Sequence, residues 1–187
     1  LKEWLHVATA SILLAQEVKA NASEALDLSS WAFKRGWQSL ITPCTAGDTA
    51  AERSAGVAVF VRQGIGLGWH KDDTRCELHD RAIAVRVDVP NFTPLTFTCL
   101  YLHDGKSIED PQNKELLEWA CWKTKEFGLP HVTGGDLQMP PSKLQVGSWE
   151  EKLKAKCIAA DSKEGTCRKP NGNGYSYIDL IFVSDEI

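Results

Sequence analysis

Short apolar runs alternate with amphipathic stretches along this chain, as strands and helices do when they follow one another. Runs rich in β-branched and aromatic residues predict strands at residues 12–17, 57–61, 82–89, 95–102 and 176–184. Apolar side chains at helical spacing predict helices at residues 22–36, 113–127 and 149–155. Residues 4–15 are interpreted as part of a buried strand pair rather than a signal peptide, because polar residues interrupt the apolar run. This order predicts a mixed α/β fold.

The predicted helices carry end signals and apolar faces. Ser23 is expected to cap the first helix and Gly36 to end it. Trp31 and Trp37 are expected in the core, since aromatic side chains bury much area there. On the helix at residues 113–127, four residues are expected to face a sheet: Leu116, Leu117, Trp119 and Ala120.

The stretch Gly134–Pro141 carries the clearest chemical signal. A short apolar segment leads into two glycines, then Asp136 and Gln138, then two prolines. Residues i and i+2 of an extended segment lie on the same side, so a carboxylate and an amide can address one site. The glycines would let the backbone come close to a ligand. On these residues alone, an Asx-type turn that closes a strand is an equally good interpretation.

Two more carboxylates accompany apolar strands. Glu17 ends the strand-like run that starts at Ile12, and Asp179 lies within the apolar run at residues 176–184. An acid in such surroundings is rarely buried without a partner. Together with Asp136, these side chains would offer the oxygen ligands that a hard cation such as Mg²⁺ takes.

Five segments in order form a larger pattern: Leu13–Glu17, Ser54–Arg62, Leu100–His103, Gly135–Gln138 and Ser176–Asp179. They resemble the motifs of the endonuclease/exonuclease/phosphatase superfamily. That superfamily includes abasic-site endonucleases, deoxyribonuclease I, inositol-phosphate phosphatases and the endonucleases of non-LTR retrotransposons. Each motif is weak alone, but five in family order make a strong signal. The continuation Pro140-Pro141 favours the retrotransposon endonucleases.

The resemblance implies a four-layer α/β sandwich, in which two packed mixed β-sheets are flanked by helices and the active site lies at one edge. It also implies metal-assisted phosphodiester hydrolysis, with Mg²⁺ as the cofactor and Mn²⁺ as an alternative. Glu17 would be the metal ligand, and Asp136 would orient or deprotonate a water molecule. Tyr101 and Gln138 would bind phosphate oxygens. Asp179 would hold the family's catalytic histidine.

The chain departs from the family pattern in three places. Gln138 stands where the family has asparagine, which is one methylene shorter. Only a short segment, with residues 5–10 as its apolar part, precedes the strand that leads to Glu17, so the family's first strand-helix unit is expected to be missing. No histidine follows His131, so the C-terminal Asp-His segment is expected to be missing too. His103 is expected to be a surface histidine rather than a substitute base. Residues 1–187 are therefore expected to form one incomplete domain with impaired activity.

Composition narrows the class of protein and the kinds of binding partner to be expected. The hydrophobic fraction of 43% and the charged fraction of 25% are ordinary for a globular protein. The net charge of -4 gives no general basic face for duplex DNA, although a bound cation can supply positive charge locally. No apolar run reaches membrane-spanning length, so no membrane partner is expected.

The six cysteines include no Cys-x-x-Cys pair, which argues against a zinc site. Cys99 and Cys121 are expected to be buried free thiols. A reducing compartment is therefore expected, with an intracellular location in the nucleus or the cytoplasm.

Three functions stay open at the level of sequence. The first is a Mg²⁺-dependent endonuclease that acts on DNA as a monomer. The second is a phosphatase of the same fold that acts on an inositol phosphate or a nucleotide. The third is a non-catalytic remnant that binds a partner or nothing. Loops that face the substrate would separate the first two, and a single sequence does not decode them.

Overall fold

The structure, a computed structural model, describes residues 1–44, 53–68, 80–142, 146–159, 167–168, 175–176 and 178–187. Its helices are α1 (Lys2–Val7), α2 (Ala22–Phe33), α3 (Pro111–Phe127) and α4 (Val146–Leu153). Its strands are β1 (Ile12–Ala15), β2 (Trp37–Ile41), β3 (Ala58–Arg62), β4 (Gly66–Gly68), β5 (Ala82–Asp88), β6 (Leu95–Tyr101), β7 (His131–Asp136), β8 (Ala155–Ala159), β9 (Cys167–Arg168), β10 (Tyr175–Ser176) and β11 (Asp179–Ser184).

The strands form two main sheets and one small pair. The first sheet is antiparallel with the order β1-β3-β2, and the second has the order β4-β5-β6-β7-β11-β8. Strands β6 and β7 run parallel, while the other pairs of the second sheet are antiparallel. The parallel pair is possible because α3 makes the crossover between the two strands. The small pair joins β9 and β10.

Three apolar clusters hold these elements in four layers. Between the sheets, alternate residues of β3, β5 and β6 pack together, including Val59, Val85 and Cys99. On the outer face of the first sheet, Leu5 of α1 and Leu28 of α2 pack on alternate residues of β2 and β3. On the outer face of the second sheet, α3 and α4 pack on residues of β5, β6, β8 and β11. The predicted four-layer arrangement of helices and two packed sheets is therefore confirmed.

The strands expected near residues 12–17, 57–61, 82–89 and 95–102 are present, as is the helix at residues 113–127. Its residues Leu116, Leu117 and Ala120 are buried, and Trp119 packs beside them. Trp37 is fully buried, whereas Trp31 is partly buried and lies under the guanidinium of Arg35. The prediction of two core tryptophans therefore holds fully for one of them.

The predicted strand pair at residues 4–15 is wrong in its first half. Residues 2–7 form α1, in which Leu5 is buried while Trp4 and Val7 are exposed. In a short apolar run, periodicity alone does not distinguish a helix from a strand. The cap of α2 is also corrected. Asn21 Oδ1 accepts a hydrogen bond from Glu24 N at 2.9 Å, and Glu24 Oε2 accepts one from Asn21 N, so Asn21 replaces Ser23 as the cap.

Two corrections concern the last third of the chain. Helix α4 ends at Leu153, and the following residues form β8, which pairs with β11 and was not predicted. Strand β11 begins at Asp179, so this carboxylate opens the strand instead of lying inside it. Tyr177, part of the predicted motif, lies outside the described residues.

Candidate active site

The ends of four strands meet at one edge of the sandwich. Tyr101 is the last residue of β6, Asp136 is the last of β7, and Asp179 is the first of β11. The sheet register pairs Asp136 with Tyr101 on one side and with Asp179 on the other. Paired residues project from the same face of a sheet, so these three side chains are neighbours on the face toward the first sheet. Glu17 follows β1 on the opposite sheet.

A short hydrogen bond joins the two sheets at this edge. Tyr101 Oη donates to Glu17 Oε1 at 2.6 Å, a length typical of a bond to a carboxylate. The Tyr101 side chain is buried, and the guanidinium of Arg81 lies 4.6 Å from the centre of its ring. Burial first, and then the Glu17 carboxylate, raise the pKa of Tyr101 to about 12. The phenol therefore stays protonated at neutral pH and can donate a hydrogen bond.

The backbone after β1 turns Glu17 toward Tyr101. Along β1, alternate side chains face the second sheet, and continued alternation would direct Gln16 inward and Glu17 outward. Glu17 has φ of 50°, a left-handed conformation that breaks the alternation. Backbone hydrogen bonds from Val18 N to Gly56 O and from Lys19 N to Ala55 O hold the turn. The Glu17 side chain remains 51% exposed, with Lys19 Nζ 3.6 Å from Oε1.

The Asp136 carboxylate is held by Gln138 through both of its oxygens. Gln138 N donates to Oδ1 at 2.9 Å, and Gln138 Nε2 donates to Oδ2 at 2.8 Å. The first bond is the Asx-type turn expected as the structural alternative, and Gln138 has φ of 56°. The two interpretations of this motif therefore coexist, because the same bonds close the strand and orient the carboxylate. One N–H of the Gln138 amide remains for another acceptor.

Burial and neighbouring acids make Asp136 a weak acid. Desolvation raises its pKa to about 6, and the charges of Asp179, Glu17 and Asp104 act in the same direction. The backbone bond from Gln138 opposes the shift without cancelling it. Since a general base works best when its pKa lies near the operating pH, Asp136 suits proton transfer near neutrality. Asp179 contributes to this site through its charge and its place beside Asp136 in the sheet.

The glycines before Asp136 let β7 lie close to its neighbouring strands. A Cβ on Gly135 would lie 1.8 Å from Leu100 O on β6, and Gly135 has φ of 152°. A Cβ on Gly134 would lie 3.2 Å from the Ile181 side chain on β11. Both glycines therefore have a packing role, which brings β7 close to both neighbouring strands, and the expectation that they admit a ligand stays a prediction.

Two features near the site were not expected from the sequence. Arg81 contacts Tyr101 and donates hydrogen bonds to Ser54 Oγ at 2.8 Å and to Leu102 O at 3.3 Å. Asn113 is fully buried, and its Oδ1 accepts a hydrogen bond from His103 N at 2.7 Å. Neither residue stands in a sequence pattern that marks it: Arg81 reaches segments about 20 or more residues away, and Asn113 bonds back to the loop that precedes its own helix.

His103 is partly buried rather than fully at the surface as expected. Burial, together with the positive charges of Arg81 and Lys106, lowers the pKa of its imidazole. The acids around Asp136 do not figure among the charges that act on His103, whose acidic neighbours are Asp80 and Asp110. The imidazole therefore belongs to the basic flank of the site.

A groove of about 490 Å³ opens beside the site, lined mainly by apolar side chains with Gln16 and Asp179 at its polar end. Ile158 and Ile181 border this groove and are 54% and 43% exposed. A larger groove of about 670 Å³ lies between α2 and β2, far along the sheet from the candidate residues. Chemistry rather than size therefore identifies the site, since none of the acids lines the larger groove.

The donor set fits a hydrated hard cation better than a closed protein cage. Within the described ranges, no three His, Cys, Asp or Glu side chains come close enough together to hold a metal ion by themselves. Mg²⁺ keeps several waters and is usually bound through one or two carboxylates plus substrate phosphate. The half-exposed Glu17 and the nearby Asp136 provide such a set, so the residues present fit the family's cation.

The whole chain, residues 1–187, matches the model of the Endonuclease/Exonuclease/phosphatase family. The chain therefore belongs to this family, whose members are phosphodiesterases and phosphatases that generally depend on a divalent metal. No curated protein sequence matches the chain.

Several solved structures share the fold. The AP endonuclease LMAP from Leishmania major matches with a TM-score of 0.67 and 11% identity, over 98% of this chain and 72% of that one. TDP2 from D. rerio, complexed with single-stranded DNA product, matches with a TM-score of 0.63 and 12% identity, over 100% and 76%. The human Nocturnin catalytic domain with bound sulfate matches with a TM-score of 0.62 and 17% identity, over 94% and 69%. At these identities the likeness shows the fold.

In the part of the chain that the structure describes, no helix has the length and apolar character needed to cross a membrane.

Proposed function

We propose that this chain is a phosphodiester hydrolase that acts on DNA with Mg²⁺, for which Mn²⁺ can substitute. The observation that carries the proposal is the hydrogen bond between Tyr101 and Glu17. It ties the carboxylate of the first sheet to Tyr101, which lies beside Asp136 in the second sheet, and Asp136 in turn lies beside Asp179. Family membership supports phosphoester chemistry, and the resemblance to AP endonucleases and to TDP2 with DNA supports this substrate class.

Each candidate residue has a chemical role that its surroundings support. Glu17 would hold the cation, which when bound polarises the phosphate and stabilises charge on the leaving oxygen. Asp136 accepts a proton from the attacking water, since its pKa of about 6 leaves it ionised at neutral pH. The remaining N–H of Gln138 donates to a phosphate oxygen as negative charge builds there. The single O–H of Tyr101 donates to Glu17 in this structure and would turn to a phosphate oxygen when substrate binds.

Asp179 is assigned to the site by its place beside Asp136 and by the family resemblance. In the family pattern this residue holds a histidine, and no histidine follows His131 in this sequence. Loss of a general acid or base typically costs about 10²–10⁴-fold in rate. We therefore expect slow hydrolysis by these 187 residues, while binding of the cation depends on Glu17 and is retained.

The flank of the site can accept an anionic backbone. Lys19 lies beside Glu17 and Arg81 lies beside Tyr101, although the net charge of the chain is -4. Phosphate contacts from such side chains position a nucleic acid without reading its sequence. A preference for the targets of retrotransposon endonucleases stays a prediction from the Pro140-Pro141 continuation.

The direct test is Mg²⁺-dependent hydrolysis of four substrates: abasic-site duplex DNA, supercoiled plasmid, an inositol phosphate and a nucleoside monophosphate. We expect cleavage of the DNA substrates by the unmodified chain. Asp136→Asn should reduce that cleavage about 10²–10⁴-fold. Glu17→Gln should remove its dependence on Mg²⁺.

Matched controls are Asp185→Asn and Glu118→Gln, because both acids pair with a lysine at the surface, away from the site. Turnover of the phosphomonoesters alone would establish the phosphatase alternative. Absence of Mg²⁺-dependent turnover on all four substrates would contradict the proposal and favour a non-catalytic remnant.

A further inference from the structure

A buried thiol lies beneath the candidate site and touches the segment that leads to Glu17. Cys99 has no exposed surface and stands two residues before Tyr101 on the same face of β6. Its Sγ accepts a hydrogen bond from Gln16 Nε2 at 3.0 Å. The thiol also lies 3.5 Å from Ala15 O, to which it can donate. The proposed reaction uses neither Cys99 nor Gln16.

The contacts form two rungs between the sheets. The lower rung joins Gln16 to Cys99, and the upper rung joins Glu17 to Tyr101. Cys99 and Tyr101 are i and i+2 on one strand, so their side chains point the same way. Gln16 and Glu17 are adjacent, and both reach β6 only because Glu17 adopts a left-handed conformation. The lower rung therefore fixes the last inward-facing side chain before the chain turns.

We propose that Cys99 is a positioning residue: through Gln16 and Ala15 it fixes the end of β1, so that Glu17 stays within hydrogen-bond distance of Tyr101. The proposal rests on the proposed function in that Glu17 is the cation ligand. Side chains that orient a metal ligand without touching the metal typically change metal affinity about 10- to 100-fold when they are replaced.

The chemistry of cysteine suits this place. Burial raises the pKa of Cys99 to about 12, so the thiol stays neutral and can both donate and accept. Cys121 offers an internal comparison, because it is also buried but packs in the apolar cluster between α3 and the second sheet. If Cys99 only filled space, its replacement should have the same effect on Glu17 and Tyr101 as the replacement of Cys121.

The test combines matched variants with a structural signal at Tyr101. Tyrosines are labelled with ¹³C at Cζ, the Tyr101 resonance is assigned with Tyr101→Phe, and its position is recorded at pH 7. The removing variants are Cys99→Val, which loses both the donor and the acceptor and adds one methyl group, as Cys121→Val also does, and Gln16→Met, which loses the donor from a partly exposed position. The retaining variant is Cys99→Ser, and the matched control is Cys121→Val. The second measurement is the Mg²⁺ concentration that gives half of the increase in Tm.

We expect Cys99→Val and Gln16→Met to move the Tyr101 resonance toward its position in Glu17→Gln and to weaken Mg²⁺ binding about 10-fold. Cys99→Ser and Cys121→Val should leave both measurements near those of the unmodified chain. An unmoved resonance in Gln16→Met and Cys99→Val, or an equal movement in Cys121→Val, would overturn the proposal. If the resonance moves as expected while the unmodified chain shows neither a Mg²⁺ response nor hydrolysis, the positioning of Glu17 stands and the proposed function fails.

Discussion

The loops that carry Glu17 and Asp136 use the same backbone device in different surroundings. Each has a non-glycine residue in the left-handed region, Glu17 itself in one loop and Gln138 in the other. The first loop follows an edge strand of the smaller sheet and leaves its carboxylate half exposed beside Lys19. The second follows an interior strand of the larger sheet, where Asp136 is partly buried and both of its oxygens accept hydrogen bonds.

The difference suits two similar side chains to the different roles proposed for them. A carboxylate that keeps contact with water can bind a hydrated cation without first losing its own solvation. A desolvated carboxylate, with its pKa raised to about 6, is better suited to exchange a proton near neutral pH. Tyr101 connects the two loops, since it bonds to Glu17 and is paired in register with Asp136.

The largest effect on stability should come from a substitution at Gly135, which lies in close contact with β6 just before Asp136. Gly135→Ala would place a methyl group 1.8 Å from Leu100 O, in a backbone conformation that alanine avoids. We expect a loss of about 4 kcal/mol or more in the free energy of unfolding, which is at the extreme for one substitution. Gly68→Ala is the control, because its nearest neighbour would be 3.9 Å away. Chemical denaturation measures both, and similar losses would show that the tight contact between β6 and β7 is not what holds this loop.

The next effect concerns the bridge between the loops. Tyr101→Phe keeps the ring beside Arg81 but removes the single O–H, which donates to Glu17 in this structure and would donate to the phosphate when substrate is bound. Removal of one such donor typically lowers kcat about 10²–10³-fold. Comparison of kcat with KM on the cleaved substrate checks this, since a donor that acts in the transition state should lower kcat more than it raises KM. A change in KM alone would reduce Tyr101 to a substrate-binding role.

The third effect is a gain in stability at the expense of activity. The pKa of Asp136 is raised from 3.8 to about 6, so the folded state holds its proton more tightly than the unfolded chain does. The folded state is therefore favoured below about pH 4, and this contribution is lost as the pH rises through 6. Asp136→Asn should then raise the free energy of unfolding at pH 8 by about 1–3 kcal/mol when no divalent cation is present.

The same comparison at several pH values tests the cause. The stabilisation by Asp136→Asn should grow between about pH 4 and pH 7 and then level off. Asp185→Asn, at an exposed position, should show no such growth. If the difference in the free energy of unfolding between the unmodified chain and Asp136→Asn were the same at all pH values, packing rather than charge would be its cause.

The positions of Glu17 and Asp136 could be predicted from the sequence because each lies at the end of an apolar, strand-like segment. Glu17 and Asp136 each follow a recognisable strand, and their order along the chain resembles a family pattern. The hydrogen bond of Gln138 to Asp136 was half expected, since an Asx-type turn was one of the two interpretations. The left-handed conformation of Glu17 was not predictable, because glutamate rarely adopts it and tertiary hydrogen bonds hold it there.

Contacts between distant segments could not be predicted either, because they too depend on tertiary packing. Cys99 looked like an ordinary buried thiol, and only the packing of one sheet on the other brings it to Gln16. Strand β8 was missed because its residues follow a helix directly and carry little β-branched character, so pairing with β11 decides its conformation. The packing role of the glycines was not predicted, since a sequence does not show which backbone a glycine must approach.

The most direct measurement of the central claim is the paramagnetic effect of Mn²⁺ on the ¹³C-labelled tyrosine and carboxylate resonances. If Glu17 holds the cation beside Asp136, substoichiometric Mn²⁺ should broaden the signals of Glu17, Tyr101 and Asp136 first, and excess Mg²⁺ should reverse the effect. The broadening should persist in Asp136→Asn and disappear in Glu17→Gln. Broadening that is spread over surface carboxylates such as Asp185, or that survives in Glu17→Gln, would contradict the division of labour between the two loops.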